Sequence, residues 1–240
     1  MSKSQHLLHV GVALLLGIST LGCHSFQQMN DPLLIEPLGK VDSGSSSSNI
    51  RDLCIETAQS VAAEGHYAEA IKLYERAEQL SENGEAFDLQ LANLHAEMGE
   101  YENAMERYQS HSFTKEMDAS TINDYVWACI GAEQYRRAAE VLEQGRSDFP
   151  SDERLKSTSA CLAFYAGDEK ESLRIFSDLY QVPGAYQNLA VLAIESGDSE
   201  RAVQYLKRAM NMANCPEEAH TLFQALEYQR KSQAIAVDAS

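Results

Sequence analysis

From about residue 51 to residue 230, apolar and small side chains recur at intervals of three, four and seven. That spacing collects them on one face of an α-helix. Ala70, Tyr74 and Ala77 form one such stripe, and Ala104, Tyr108 and His111 form the next. The stripes come in pairs separated by short polar breaks, which predicts helices of about 12–14 residues joined by tight turns. A hairpin of two such helices cannot bury its apolar face alone, whereas stacked neighbours can.

The pairs are copies of one another. Gly65, Gly99, Glu133 and Gly167 are spaced 34 residues apart, and Gly197 follows after 30. Two residues beyond each stand Tyr67, Tyr101, Tyr135, Glu169 and Ser199. Then come Ala70, Ala104, Ala138, Ser172 and Ala202, and four further on Tyr74, Tyr108, Leu142, Phe176 and Leu206. The next column is Ala77, His111, Gly145, Leu179 and Ala209. Seven residues before the glycine column lie Ala58, Ala92, Val126, Ala160 and Ala190. The glycine falls where one helix must stop, and it adopts the left-handed conformation without steric penalty. The small residues allow close helix approach, and the aromatic or leucine column fills the gap between repeats.

The segments AEGHYAEAIKLYERA (63–77), AEMGEYENAMERY (96–108) and SGDSERAVQYLKRA (196–209) resemble the tetratricopeptide repeat (TPR), whose period is also 34. The resemblance spans roughly 51–230. It implies an all-α fold, a right-handed superhelical solenoid of about five helix-turn-helix units, at 51–84, 85–118, 119–152, 153–182 and 183–216. Pro183-Gly184 marks the end of the fourth, shortened unit. Residues 217–240 are expected to form a capping helix, to about Gln229, with a frayed tail after Lys231. Its face Ala219, Leu222, Phe223 and Leu226 would cover the last repeat.

The first residues read as an address. Lys3 precedes an apolar run, Val10–Leu21, too short to span a bilayer. It ends in Thr20-Leu21-Gly22-Cys23, which is similar to the cleavage box of bacterial lipoproteins, with Thr20 in place of the usual leucine. The resemblance implies a signal peptide at 1–22, lipid on Cys23, and a body held at a membrane by buried acyl chains, each CH₂ contributing roughly 0.8 kcal/mol. An ordinary cleaved signal with an incidental cysteine is the alternative. His24, rather than Asp, follows the cysteine, which by the same resemblance favours the periplasmic face of the outer membrane. Residues 23–50 read as a flexible tether containing Pro32, Pro37, Gly39 and the serine run 45–48, interrupted by the apolar patch Leu33-Leu34-Ile35.

Composition narrows the function. The formal net charge is −17, and no Lys/Arg cluster offsets it, so the chain is not expected to bind nucleic acid. His66, His95, His111 and His220 are scattered, with no paired-histidine or HExxH spacing. No glycine-rich phosphate loop or GxSxG elbow occurs. Carboxylate pairs such as Asp152-Glu153 and Glu217-Glu218 sit at helix starts, where they complement the helix dipole. Cys54, Cys129, Cys161 and Cys215 have no CxxC spacing. Cys129–Cys161 is the one pair worth testing as a disulfide, against the reading that both are small buried thiols. No cofactor, metal, catalytic residue or small-molecule substrate is expected.

The tetratricopeptide resemblance implies that the first helix of each unit lines a concave groove. Trp127, Ile130, Phe164, Tyr165, Val191 and Ile194 then form an apolar partner site, unless Trp127 and Phe164 are packed between helices. The Lys/Asn/Arg carboxylate clamp of some relatives is missing, since Asn93 and Arg154 stand alone. The expected function is a tethered scaffold binding an envelope protein, of the kind that assists pilus or secretin assembly, outer-membrane protein insertion or cell-wall enzymes. A self-assembling structural repeat protein is the alternative.

Overall fold

The computed structural model describes residues 47–81, 84, 86–114 and 116–238. Among these, all regular structure is α-helical: α1 (Ser47–Ala63), α2 (Tyr67–Gln79), α3 (Asp88–Glu97), α4 (Tyr101–Thr114), α5 (Ala119–Gly131), α6 (Tyr135–Asp148), α7 (Glu153–Tyr165), α8 (Glu169–Glu195), α9 (Ser199–Met210) and α10 (Glu217–Asp238). The expected signal peptide at 1–22, Cys23 and residues 24–46 of the expected tether lie outside the described residues. The chain divides into two compact units that meet in sequence at Ser147 and Asp148.

Every first helix closes through the same turn. Gly65 N–H bonds the Ala62 carbonyl at 3.0 Å and His66 N–H bonds that of Val61 at 2.9 Å. The same pair of bonds recurs at Gly99/Glu100, Glu133/Gln134, Gly167/Asp168 and Gly197/Asp198. This is the Schellman motif, and it needs a left-handed residue. The four glycines have φ of 83°, 74°, 89° and 80°, and Glu133 follows them at 58°. The residue after the turn opens the second helix, and Asp168 and Asp198 accept from the N–H groups of Glu171 and Arg201 at 3.0 and 2.9 Å. Glu133 therefore holds a conformation that disfavours any side chain. Glu133→Gly is expected to raise stability by about 1 kcal/mol, the left-handed penalty less glycine's greater unfolded-state entropy. Urea denaturation would show it as a higher midpoint at unchanged slope.

In the first unit, Ala58, Ala62, Ala70, Ile71, Tyr74, Ala77, Phe87, Leu91 and Leu94 form one buried cluster. Tyr74 of α2 meets Phe87, just before α3, at 5.3 Å between ring centroids, and Tyr108 of α4 stacks on Tyr125 of α5 at 5.4 Å. Tyr74 and Tyr108 thus join the first hairpin to the second and the second to the third. Gly145 stands in an otherwise bulkier column because a Cβ there would lie 2.5 Å from Ile122 Cγ2. Alanine would normally improve a helix by about 1 kcal/mol over glycine. Here Gly145→Ala is expected to destabilise by about 1–2 kcal/mol through overpacking. In an Ile122→Ala background the same change should become neutral or stabilising, a reversal that a double-mutant cycle measures.

In the second unit, Phe176, Leu189, Leu206 and Leu222 are buried, and Tyr186 stacks on Tyr205 at 6.3 Å. α8 is two helical arms on either side of Gln181, which has φ 62° and ψ 168°. Pro183 lies in the first turn of the second arm, where its missing N–H is harmless. Ala219, Leu222 and Leu226 of α10 are buried, and Phe223 is half-buried with Lys207 Nζ 5.8 Å from its ring centre.

Two element ends differ from expectation. α1 begins at Ser47, inside the serine run read as tether. Serine suits a helix start as well as a linker, and composition alone does not separate the two. α10 continues to Asp238 rather than fraying after Lys231. Its last turns contain neither glycine nor proline, so nothing local stops the helix.

Candidate protein-binding surfaces

The first helix of each hairpin carries the positions expected to face a partner. In the first unit Gln59 and Ala63 are exposed, Asn93 and Ala96 half-buried, and Glu97 exposed. Asn93 accepts a short hydrogen bond from the Tyr108 hydroxyl. Trp127 is half-buried, Ile130 is 6% exposed, and Gly131 opens to solvent. Gly131 also seats a ring, since a Cβ there would lie 2.7 Å from the Tyr101 ring carbons.

In the second unit Phe164 is 6% exposed. Its face is covered by the Arg201 guanidinium at 4.9 Å, and its edge meets Tyr165 at 5.6 Å. Tyr165, Val191 and Ile194 are half-buried. Tyr165 donates to Glu195 Oε2 at 3.1 Å. Burial, and then the Glu195 carboxylate, push the Tyr165 phenol far above its ordinary range, which keeps its proton available to donate. Of the six expected partner residues, Trp127, Tyr165, Val191 and Ile194 thus retain accessible surface. Ile130 and Phe164 are core side chains. Trp127 and Ile130 belong to the first unit and the other four to the second.

The clamp residues are otherwise engaged, Asn93 by Tyr108 and Arg154 by Asp152 at 3.5 Å. Asp152 caps α7 by accepting from Leu155 N–H at 3.0 Å, and Glu217 and Glu218 lie in the first turn of α10. Cys54, Cys129, Cys161 and Cys215 are all free thiols. Burial pushes Cys129 up to about 12 and raises Cys161 further, with Glu195 adding to the shift. Neither is a nucleophile at neutral pH.

A feature not anticipated from sequence is a polar surface cleft of about 410 Å³ in the second unit, lined by Glu169, Asp198, Glu200, Arg201, Gln204, Tyr205 and Arg208. Arg201 organises it, reaching Glu169 Oε2 at 2.7 Å and the Tyr205 hydroxyl at 2.8 Å. Burial raises the Glu169 carboxyl, but hydrogen bonds from Arg201 and Tyr205 outweigh it and hold the group below its ordinary value. The one available signal was Glu169 itself, an acid where three repeats carry tyrosine, with Arg201 standing 32 residues on. Phe113 and Tyr228, 79% and 76% exposed, were also missed because they lie off the buried columns. No group of three metal-binding side chains, and no helix long and apolar enough to cross a membrane, occurs among the described residues.

Comparison with known proteins gives a consistent fold. Family models described as tetratricopeptide repeat match residues 61–120 and 183–214. Among solved structures, the crystal structure of MamA protein is similar with a TM-score of 0.52 and 14% identity, covering 70% of this chain and 100% of that one. YrrB, a TPR protein with an unusual peptide-binding site, gives 0.50 and 14%, covering 75% and 98%. A thermophilic TPR protein of Thermus thermophilus gives 0.48 and 17%, covering 74% and 99%. No curated protein sequence matches. Residues 61–120 and 183–214 thus match tetratricopeptide-repeat models, within an all-helical body whose fold is similar to that of a TPR protein of known structure.

Proposed function

We propose that the chain is a lipid-anchored adaptor of the bacterial cell envelope, tethered through Cys23 and facing the periplasm, with the outer membrane favoured. Its repeats hold an extended peptide or a helix of an envelope protein, and in that way assist assembly of an envelope complex. The observation that carries the binding reading is the half-buried apolar set on the first helices, Trp127 in one unit and Tyr165, Val191 and Ile194 in the other. Such side chains already have their rotamers restricted by packing, so a partner immobilises them at little further entropic loss. Buried Phe164 supports Tyr165 edge to face and contributes through that support. The likeness to a repeat protein with a peptide-binding site is in keeping with a peptide ligand. Tetratricopeptide repeats are in general non-catalytic, and the reading assigns no reaction to this one.

The test is co-purification from detergent-solubilised native cells. Wild type is compared with Trp127→Ala, Tyr165→Ala/Val191→Ala and Cys23→Ser, each checked for folding by circular dichroism. The reading expects one envelope partner with the wild type, lost or strongly reduced in the Trp127 or Tyr165/Val191 variant. It also expects release of the Cys23→Ser protein from the membrane fraction. A partner retained by all surface variants would displace the surface assignment. Membrane association that survives Cys23→Ser would end the lipid-anchor reading.

A further inference from the structure

The candidate surface of the second unit joins an apolar patch to a charge. Cys161, Phe164 and Tyr165 come from α7, and Val191, Ile194 and Glu195 from the second arm of α8. Cys161 and Phe164 are buried, Tyr165, Val191 and Ile194 are half-buried, and Glu195 is exposed. At neutral pH Glu195 is the only one of the six that carries a charge. Burial and the Glu195 field both push the Tyr165 phenol and the Cys161 thiol upward, so each keeps its proton. The same two shifts show that the Glu195 charge is felt across the patch. Arg201, which covers Phe164, is balanced by Glu169 at 2.7 Å.

Tyr165 donates to Glu195 Oε2 at 3.1 Å. The phenol is a neutral donor, so this bond fixes the carboxylate beside the apolar patch without cancelling its charge. A segment that covers the patch also removes water from part of that carboxylate. A neutral segment does not offset the loss, an acidic one adds repulsion, and a basic one gains. The formal net charge of −17 draws cationic partners in the same sense.

The spacing narrows the ligand further. Val191 and Glu195 are four residues apart, which puts them on one helix face about 6 Å apart along the axis. An extended peptide repeats its same-face side chains every second residue, at about 6.6 Å.

We propose that this surface recognises an extended segment in which an apolar side chain stands two residues from a lysine or arginine. The apolar side chain lies on Tyr165, Val191 and Ile194, and the basic one lies beside Glu195. The inference rests on the reading that this surface binds a peptide, and it adds the charge and spacing of the ligand.

The test selects a phage-displayed library of random peptides on the full chain purified in detergent, beside folded Glu195→Gln, Glu195→Lys and Tyr165→Ala/Val191→Ala variants. Wild type is expected to enrich peptides with a basic residue two positions from an apolar one. Glu195→Gln keeps an acceptor for Tyr165 and removes only the charge. It should weaken those peptides about fivefold, the upper end for an exposed ion pair. Glu195→Lys should select an acidic residue at the same place, and Tyr165→Ala/Val191→Ala should lose the peptides altogether. Binders that need Tyr165 and Val191 but lack the basic residue, or that Glu195→Gln leaves unchanged, would overturn the inference and leave the surface reading standing. Binders indifferent to all three variants would displace the surface reading and the inference with it. A library that yields no binder would also overturn the inference.

Discussion

Arg107→Ala is expected to lower the stability of the first unit by about 2 kcal/mol, less than the loss of one partner from a fully buried charge network because solvent reaches part of this one. Arg107 Nη1 reaches Glu78 Oε1 at 3.1 Å and Asp88 Oδ1 at 3.3 Å, and its Nη2 reaches Glu78 Oε2 at 3.3 Å. Asp88 also accepts from Ser110, and Glu78 from the Phe87 N–H. Side-chain exposures of 28%, 20% and 7% for Arg107, Glu78 and Asp88 leave the network partly buried, so water replaces the guanidinium only incompletely, least of all at Asp88. The loss leaves the buried Asp88 carboxyl without its guanidinium partner, with the Ser110 hydroxyl still donating to it. Removing the whole network should hurt less than removing its cation. Arg107→Met/Glu78→Gln/Asp88→Asn is expected to recover most of the loss, because no unpaired charge remains. Urea unfolding of the two variants decides the matter. Equal losses would mean that Arg107 acts through packing of its aliphatic stem.

Tyr108→Ala should be the most damaging single change, at about 4 kcal/mol, within the range for emptying a buried aromatic site. The ring is 1% exposed and stacks on Tyr125, so its loss opens a cavity and uncouples the second hairpin from the third. Tyr108→Phe keeps the ring and removes the bond to Asn93. It is expected to lower stability by about 1 kcal/mol, the net value of one hydrogen bond. The split between the two variants therefore divides ring packing from the hydroxyl. A phenylalanine variant as unstable as the alanine one would show that the hydroxyl network, rather than the stack, joins the hairpins.

The features readable in the sequence were those with a local cause. The glycine column was visible because a left-handed turn admits few residues, and the period located Glu133 in the same turn even without glycine. Tyr74 and Tyr108 were visible because large side chains between hairpins must recur at the repeat length. The Arg107 network was not. Its partners stand 29 and 19 residues away, and in sequence each looks like an ordinary charge on a solvated face. Gly145 looked like a lapse from the pattern, and only the position of Ile122 explains it. At the candidate surfaces the period assigned a face of each first helix but not the depth of each side chain. Phe164 sits under Arg201, which is remote in sequence, so its burial is a tertiary fact. Residues 1–46, including Cys23, lie outside the described residues, and the anchor rests on the sequence motif alone.

The single-residue break in α8 bears on how the protein would respond to mechanical force. Under the proposed function, a body tethered through Cys23 and holding a partner would be loaded along its chain. Most hairpins can release some connecting loop first, but the fourth and fifth share only Gln181 and its neighbours. Gln181 also occupies a backbone region that is almost exclusively glycine's, which stores about 1–3 kcal/mol. Extension there must come from unravelling helix, and the stored strain lowers the barrier to starting it. In single-molecule pulling, the second unit is expected to yield first at this joint, and Gln181→Gly should raise the force at which it does.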